Sequence, residues 1–239
     1  MFFRGWHPEG AIRYLPVVDE IKRLDRTLNH PASMLEVGPG EWGIVPYLGR
    51  GVDGVEPHLE KTLTGDLHLL KGSAIALPAK DQSYDVIIAI DVLEHMSHNM
   101  RTQAVFEMMR VARHLVVLAL PCGKVSRGHD IQMDLLYQFW HRKHEPMIAE
   151  HAQFRLPEVE EVRKMSRDAA EKLHRNISIR EEKNLNIGIR QFLIQWWILP
   201  WRWSYLFYLK GLLPLVLFRR FLNFGACYRR IFFIDLRQR

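Results

Sequence analysis

Cysteine is nearly absent from this chain of 239 residues: Cys122 and Cys227 are the only two, far apart and without a C-x-x-C pair or metal-type spacing. That excludes a disulfide scaffold and makes a reducing, cytoplasmic setting the default expectation. Long apolar runs are missing as well. In the aromatic C-terminal third the uncharged stretches 191–201, 203–209 and 211–218 are too short to span a bilayer, and Pro200 and Pro214 interrupt any continuous helix there. Residues 1–10 carry Arg4, His7, Pro8 and Glu9 in place of the apolar core of a secretory signal. Acidic residues are scarce only near the end: residues 199–239 hold eight Lys or Arg against the single acid Asp235, a local net charge of +7 beside +6 for the whole chain. The remaining 25 basic and 26 acidic residues balance at −1, so the basicity is local and does not indicate a general nucleic-acid surface. No internal repeat or low-complexity tract is present.

A hydrophobic content of 48% over this length is enough for one sizeable α/β domain with an insertion, whereas two domains would be cramped. Ile12, Leu15, Val18, Ile21, Leu24 and Leu28 recur at three- and four-residue steps, which predicts an amphipathic helix over 11–28. Strand patterns follow at 33–37, 51–56, 67–71, Tyr84–Ile90 and His114–Leu120, separated by helical segments such as Met100–Ala112. This alternation implies a parallel sheet with helices on both faces. Val86-Ile87-Ile88-Ala89-Ile90 lacks polar alternation, as expected of a central strand buried on both sides.

The chemistry concentrates where the first strand ends. Leu35-Glu36-Val37-Gly38-Pro39-Gly40-Glu41-Trp42-Gly43 reads as a strand, a glycine turn that can cradle a carboxylate or phosphate, and a helix start; Glu56 follows on the next strand, placed to meet a ribose. Gly38-x-Gly40-x-x-Gly43 also satisfies the dinucleotide pattern, so the turn alone leaves NAD open. Three further features weigh against NAD. Glu36 lies inside the end of the strand, where it can meet a cationic amino group. Gly72-Ser73-Ala74 before Leu77-Pro78 forms a turn whose backbone N–H groups could read an adenine edge. Asp85 opens a strand that runs into Asp91-Val92-Leu93-Glu94-His95-Met96.

With these motifs in order over about 30–122, the chain resembles class I S-adenosylmethionine-dependent methyltransferases, closest to the methyltransferase type 11 group. The resemblance implies a three-layer, Rossmann-like, seven-stranded α/β sheet, with S-adenosylmethionine as cofactor. It assigns Glu36, Gly38, Pro39 and Gly40 to the methionine part of the cofactor and Glu56 to both ribose hydroxyls. Pro57 and His58 would lie beside the adenosine. Gly72, Ser73 and Ala74 would form the adenine-side turn, where the family often has Asp at the position of Ser73. Asp91, Leu93 and His95 would border the methyl group.

The reaction so implied needs positioning more than chemical machinery, with a base only for a poor acceptor. His95, His129 and His151 are the candidate bases, each set against a structural role in a chain with 12 histidines. His141, His144 and His151, with Glu145 and Glu150, match no zinc spacing, so no metal is expected. Cys122 reads as a small buried residue and Gly123 as a hinge.

Residues 123–174 read as a lid or acceptor region containing a helix at 158–173. A sixth strand is expected at 176–180 and a seventh at 228–235. Between them an aromatic helical insertion, 187–224, carries Trp196, Trp197, Trp201, Trp203, Tyr205, Phe207 and Tyr208. It reads either as an interfacial segment on an anionic membrane, placing the protein peripherally at an inner membrane face, or as a packed insertion or homodimer contact. The expected activity is methyl transfer to a small-molecule or lipid-linked acceptor. The alternatives are a cofactor-binding non-enzyme with a partner surface, or an NAD-dependent oxidoreductase.

Overall fold

The computed structural model describes residues 6–57, 62, 64–146, 148, 150 and 154–237. Seven strands form one sheet in the order β3-β2-β1-β4-β5-β7-β6: β1 (Met34–Val37), β2 (Val52–Val55), β3 (Leu67–Leu70), β4 (Tyr84–Ile90), β5 (Ala112–Pro121), β6 (Ser178–Asn186) and β7 (Cys227–Asp235). All neighbours are parallel except β7, which runs antiparallel to both β5 and β6. Because side chains alternate across a strand, each central strand feeds two cores. Val86, Ile88 and Ile90 join Val117, Ala119 and Phe233 on one face. Ile87 and Ala89 join Val116, Leu118 and Phe232 on the other.

The first face is covered by α1 (Pro8–Leu28) and by the segment between β6 and β7. The second is covered by α3 (His98–Val111) and by the helix Val159–Lys172. Between β1 and β2 lies α2 (Val45–Leu48), and α4 (Gly123–His141) follows β5. The helix Val159–Lys172 is therefore α5, and the segment before β7 contains α6 (Ile187–Ile198), α7 (Arg202–Leu206), a π turn over Phe207–Gly211 and a 3-10 stretch over Leu213–Leu222. Pro200 separates α6 from α7, and Pro214 opens the 3-10 stretch, positions that suit a residue without an N–H donor.

The first helix begins at Pro8, three residues before the expected start, and three larger departures from the sequence reading follow. Ala112 opens β5 and does not close α3. The sixth strand runs from Ser178 to Asn186, well past the expected end at Arg180. Its charges hid it: as an edge strand it keeps Arg180, Glu181, Glu182 and Lys183 because one side meets solvent and because they pair, Glu181 with Arg163 and with Arg230. The third concerns 123–174, read as a lid throughout. Its second half, α5, is a flanking layer of the sheet, burying Val162, Met165, Ala169 and Ala170 against the α3 side. That helix begins at a capping box in which the Glu158 side chain takes the Glu161 N–H and the Glu161 side chain takes the Glu158 N–H. Pro157 lies just outside it.

Candidate functional site

The carboxyl ends of β1 and β4 open on a cavity of about 850 Å³. Its floor begins with the glycine turn. Gly38, Gly40 and Gly43 all have φ between +53° and +67°, the left-handed region that favours glycine. Two of them also answer to close packing. A Cβ on Gly38 would lie 2.6 Å from Val92 in the loop after β4, and one on Gly43 would lie 2.4 Å from Glu36 Oε2; Gly40 alone borders open space.

Glu36 is sealed beneath this turn. Its Oε1 accepts from the Tyr14 hydroxyl at 3.0 Å and its Oε2 from the Ile44 N–H at 2.7 Å. Burial pushes its carboxyl up to about 7, an effect these two hydrogen bonds reduce but do not cancel. It does not line the cavity.

The charged heart of the cavity is built from residues distant in sequence. Asp91, at a left-handed φ of 53°, lies between Arg13 of α1, whose Nη1 is 2.5 Å away, and Arg229 of β7, whose Nε and Nη2 approach at 2.6 Å. Glu9, in the first turn of α1, accepts from Arg229 Nη2 and from Arg190 Nε of α6, both at 3.0 Å. The neighbouring guanidinium groups hold the Glu9 carboxyl down at about 2 and the Asp91 carboxyl well below its usual range. Arg190 lies over the Tyr228 ring at 3.5 Å and contacts His129 Nδ1 at 2.8 Å. Burial, seconded by Arg190, lowers His129 to about 4. His7 caps α1 through its Nδ1, lies 3.1 Å from the Tyr208 hydroxyl, and is likewise lowered to about 4 by burial and by Arg13.

Several polar atoms in this cluster lack a hydrogen-bond partner among the described residues. Arg13 Nε and Arg229 Nη1 are buried donors, and Glu94 Oε2 is a buried acceptor whose carboxyl is held well above its usual range by burial and by Asp91. All three residues line the cavity. Buried polar groups are rarely left unpaired, because each costs about 1–3 kcal/mol. Two guanidinium groups and one carboxyl group thus meet the cavity with hydrogen-bonding capacity unused within the described residues.

The predicted residues divide between this cavity and its surroundings. Pro39, Asp91 and His95 line it, together with Glu41, Trp42 and Gly43. Leu93 is buried in the core beside it. Glu56 and Pro57 follow β2, and Gly72, Ser73 and Ala74 follow β3, further along the same edge of the sheet and outside the cavity lining. His58 and His151 fall outside the described residues. His95 pairs through Nδ1 with Glu150 at 2.7 Å. His129 lies beneath the cavity wall on α4. His141 contacts the Ile198 carbonyl and His144 contacts Asp134, each at 2.7 Å. Cys122 is half-buried, its thiol pushed well up by burial.

This sheet order, with its antiparallel β7 and a cavity over β1 and β4, has counterparts among known proteins. The family model described as "Methyltransferase domain" matches residues 35–120. Residues 35–120 thus match a methyltransferase domain. The fold agrees over nearly the whole chain. A possible histamine N-methyltransferase from Thermotoga maritima superposes with a TM-score of 0.57 at 15% identity, covering 95% of this chain and 90% of that one. A plantazolicin methyltransferase, solved with a triazolic desmethylPZN analogue and S-adenosylhomocysteine, reaches 0.61 at 12% identity over 95% and 86%. The magnesium protoporphyrin IX methyltransferase of Synechocystis PCC 6803, also with S-adenosylhomocysteine, reaches 0.51 at 12% over 93% and 83%. No curated protein matches the chain by sequence. The matched segment thus supplies the glycine turn and Asp91, while Glu9, Arg13, Arg190 and Arg229, which complete the charge cluster from outside 35–120, were not singled out by sequence reasoning. One signal was available: Arg229 and Arg230 lead into an apolar run, Ile231–Ile234, and an arginine buried in such a strand needs a partner.

Proposed function

We propose that this chain transfers the methyl group of S-adenosylmethionine, by in-line displacement, to a small-molecule or lipid-linked acceptor with an apolar body. The supporting observation is the division of the cavity. Its floor holds the buried arginine and carboxylate cluster with the unpartnered Arg13, Arg229 and Glu94 atoms. Its walls are aromatic: Trp6, Tyr47, Trp197, Tyr205 and Tyr208. A pocket of this size with an apolar wall and a few convergent polar groups suits a small ligand beside a cofactor.

The cofactor, when bound, supplies a methyl group already activated by its sulfonium, which leaves the protein to position the reactants and exclude water. The roles assigned to this chain follow. Gly38, Pro39 and Gly40 shape the turn that receives the amino-acid end, and Glu36 braces that turn from below. Arg13 and Arg229 hold a carboxylate, and Glu94 accepts from an ammonium. Glu56 takes the ribose hydroxyls, with Pro57 and the turn Gly72-Ser73-Ala74 beside the adenosine, and Asp91 fixes both arginines. Where the acceptor must lose a proton, His95, which lines the cavity and pairs with Glu150, is the group assigned to it. His129, neutral and buried, positions Arg190.

Calorimetric titration tests the reading. S-adenosylhomocysteine is expected to bind saturably and NAD not at all, and methyl-labelled cofactor is expected to label a component of a cell extract. Absence of S-adenosylhomocysteine binding overturns the proposal, and binding without any labelled product would favour the non-enzymatic alternative. Glu56→Ala is expected to weaken S-adenosylhomocysteine binding by about 10- to 150-fold, the equivalent of about 1.5–3 kcal/mol for lost hydrogen bonds to a charged group. An unchanged dissociation constant would remove Glu56 from the ribose site.

A further inference from the structure

An unbroken chain of ring contacts runs from the end of α4 across the outer surface of the insertion. It runs from Phe139 to Trp140 at 5.1 Å, to Trp201 at 5.3 Å, to Trp203 at 5.6 Å, to Trp196 at 5.8 Å and on to Phe207 at 4.7 Å. Four of these rings stand well into solvent: Phe139, Trp201, Trp203 and Phe207, at 61%, 43%, 57% and 39% exposure. Single exposed aromatics need no explanation, but a contiguous set marks an interaction surface. Cations accompany it. Arg202 lies between Trp201 and Trp203 in sequence, Lys210 follows Phe207, and both are exposed; Arg142 lies 6.0 Å over the Phe139 ring. Residues 187–224 contain no Asp or Glu.

The surface also reaches the cavity. Trp197, on the same helix as Trp196, and Tyr205, between Trp203 and Phe207, line the cavity while keeping 38% and 47% of their own surface exposed. The aromatic face and the cavity rim are thus continuous.

From this juxtaposition we propose that the face formed by the end of α4, α6 and α7 docks on an anionic lipid bilayer and sets the cavity rim at the bilayer surface, so that the acceptor is an amphiphile carried in the membrane. Tryptophan with interspersed cations, on an insertion that itself has no acids, matches the charge and polarity of an anionic headgroup layer. Among the described residues no helix is long and apolar enough to cross a membrane, which fits a surface that lies on the bilayer. A second copy of the chain fits less well, because a two-fold contact would bring the same cations face to face. The identity of the acceptor rests on the methyl-transfer reading, whereas the docking does not.

Flotation of the full chain with vesicles of phosphatidylcholine, with or without phosphatidylglycerol, tests the docking. The protein is expected to float with the anionic vesicles at low salt, to dissociate at high salt, and to remain behind with the neutral ones. Because each cation near an anionic surface is worth about 1 kcal/mol, R202A/K210A is expected to lower the partition about 30-fold, with S-adenosylhomocysteine binding unchanged. Failure to float, equal flotation with neutral vesicles, or a dimer that protects Trp203 from quenching would each overturn the docking. Label from methyl-labelled cofactor is expected in the organic phase of a membrane extract, and less of it with R202A/K210A. Label confined to water-soluble products, with the variant fully active, would overturn the membrane-borne acceptor and leave the methyl-transfer reading intact. Loss of S-adenosylhomocysteine binding by the unaltered chain would instead defeat that reading and leave the docking standing.

Discussion

Replacing Arg229 with methionine is expected to lower the unfolding free energy at pH 7 by about 3 kcal/mol, the lower end of the cost of breaking a buried ion pair. Arg229 is buried and holds Asp91 at 2.6 Å and Glu9 at 3.0 Å. Methionine fills similar space but leaves both carboxylates short of a partner. The loss stops at the lower end because Asp91 keeps Arg13 and Glu9 keeps Arg190. The deficit should also depend on pH in a definite direction. A carboxylate with a depressed folded pKa contributes stability above its unfolded value, and that stability is lost as pH falls through the folded value. With Glu9 at about 2, and Asp91 depressed by the same arginines, the difference between the two proteins should hold above about pH 4.5 and shrink towards pH 2. Urea denaturation at pH 7 and pH 3 measures both. A deficit under about 1 kcal/mol at pH 7 would mean that the cluster contributes little to stability.

Glu36→Gln should show the opposite dependence. The Glu36 carboxyl is raised from 4.5 to about 7, chiefly by burial. Below pH 4.5 the folded and unfolded forms both hold the proton. Between 4.5 and 7 only the folded form does, so the contribution of Glu36 to stability is lost as pH rises through that window. Glutamine has no such proton, and it can keep both hydrogen bonds if its carbonyl accepts from the Ile44 N–H and its amide donates to the Tyr14 oxygen. The stability of the variant relative to the natural protein is therefore expected to rise, on the order of 3 kcal/mol from pH 4.5 to above 7. Parallel denaturation series at these two pH values decide it, and a constant difference would show that Glu36 ionises normally.

How far the sequence reveals the molecule depends on the range of the interactions involved. The central strands are legible because each is a short apolar run buried on both faces: Val86–Ile90 could hardly lie anywhere else. The glycine turn is legible because a left-handed backbone restricts the residue type locally, though two of its three glycines answer to neighbours within the protein, Val92 and Glu36. β6 was under-read because an edge strand may carry charges when they pair, and Glu181 finds Arg163 and Arg230 only in three dimensions. The arginines of the site were missed for the same reason. Arg229 and Glu9 meet across 220 positions, and Arg190 and Glu9 across 181. No local pattern encodes either contact.

Those separations fix when the site can exist. During synthesis Asp91 can meet Arg13 early, but Glu9 has neither of its cations until α6 and then β7 have left the ribosome. A nascent chain ending before Cys227 has the glycine turn and most of the sheet, yet it lacks the second guanidinium on Asp91. Long-range contacts of this kind form late because chain closure must precede them. The charge cluster of the cavity is thus assembled only once β7 has joined the sheet.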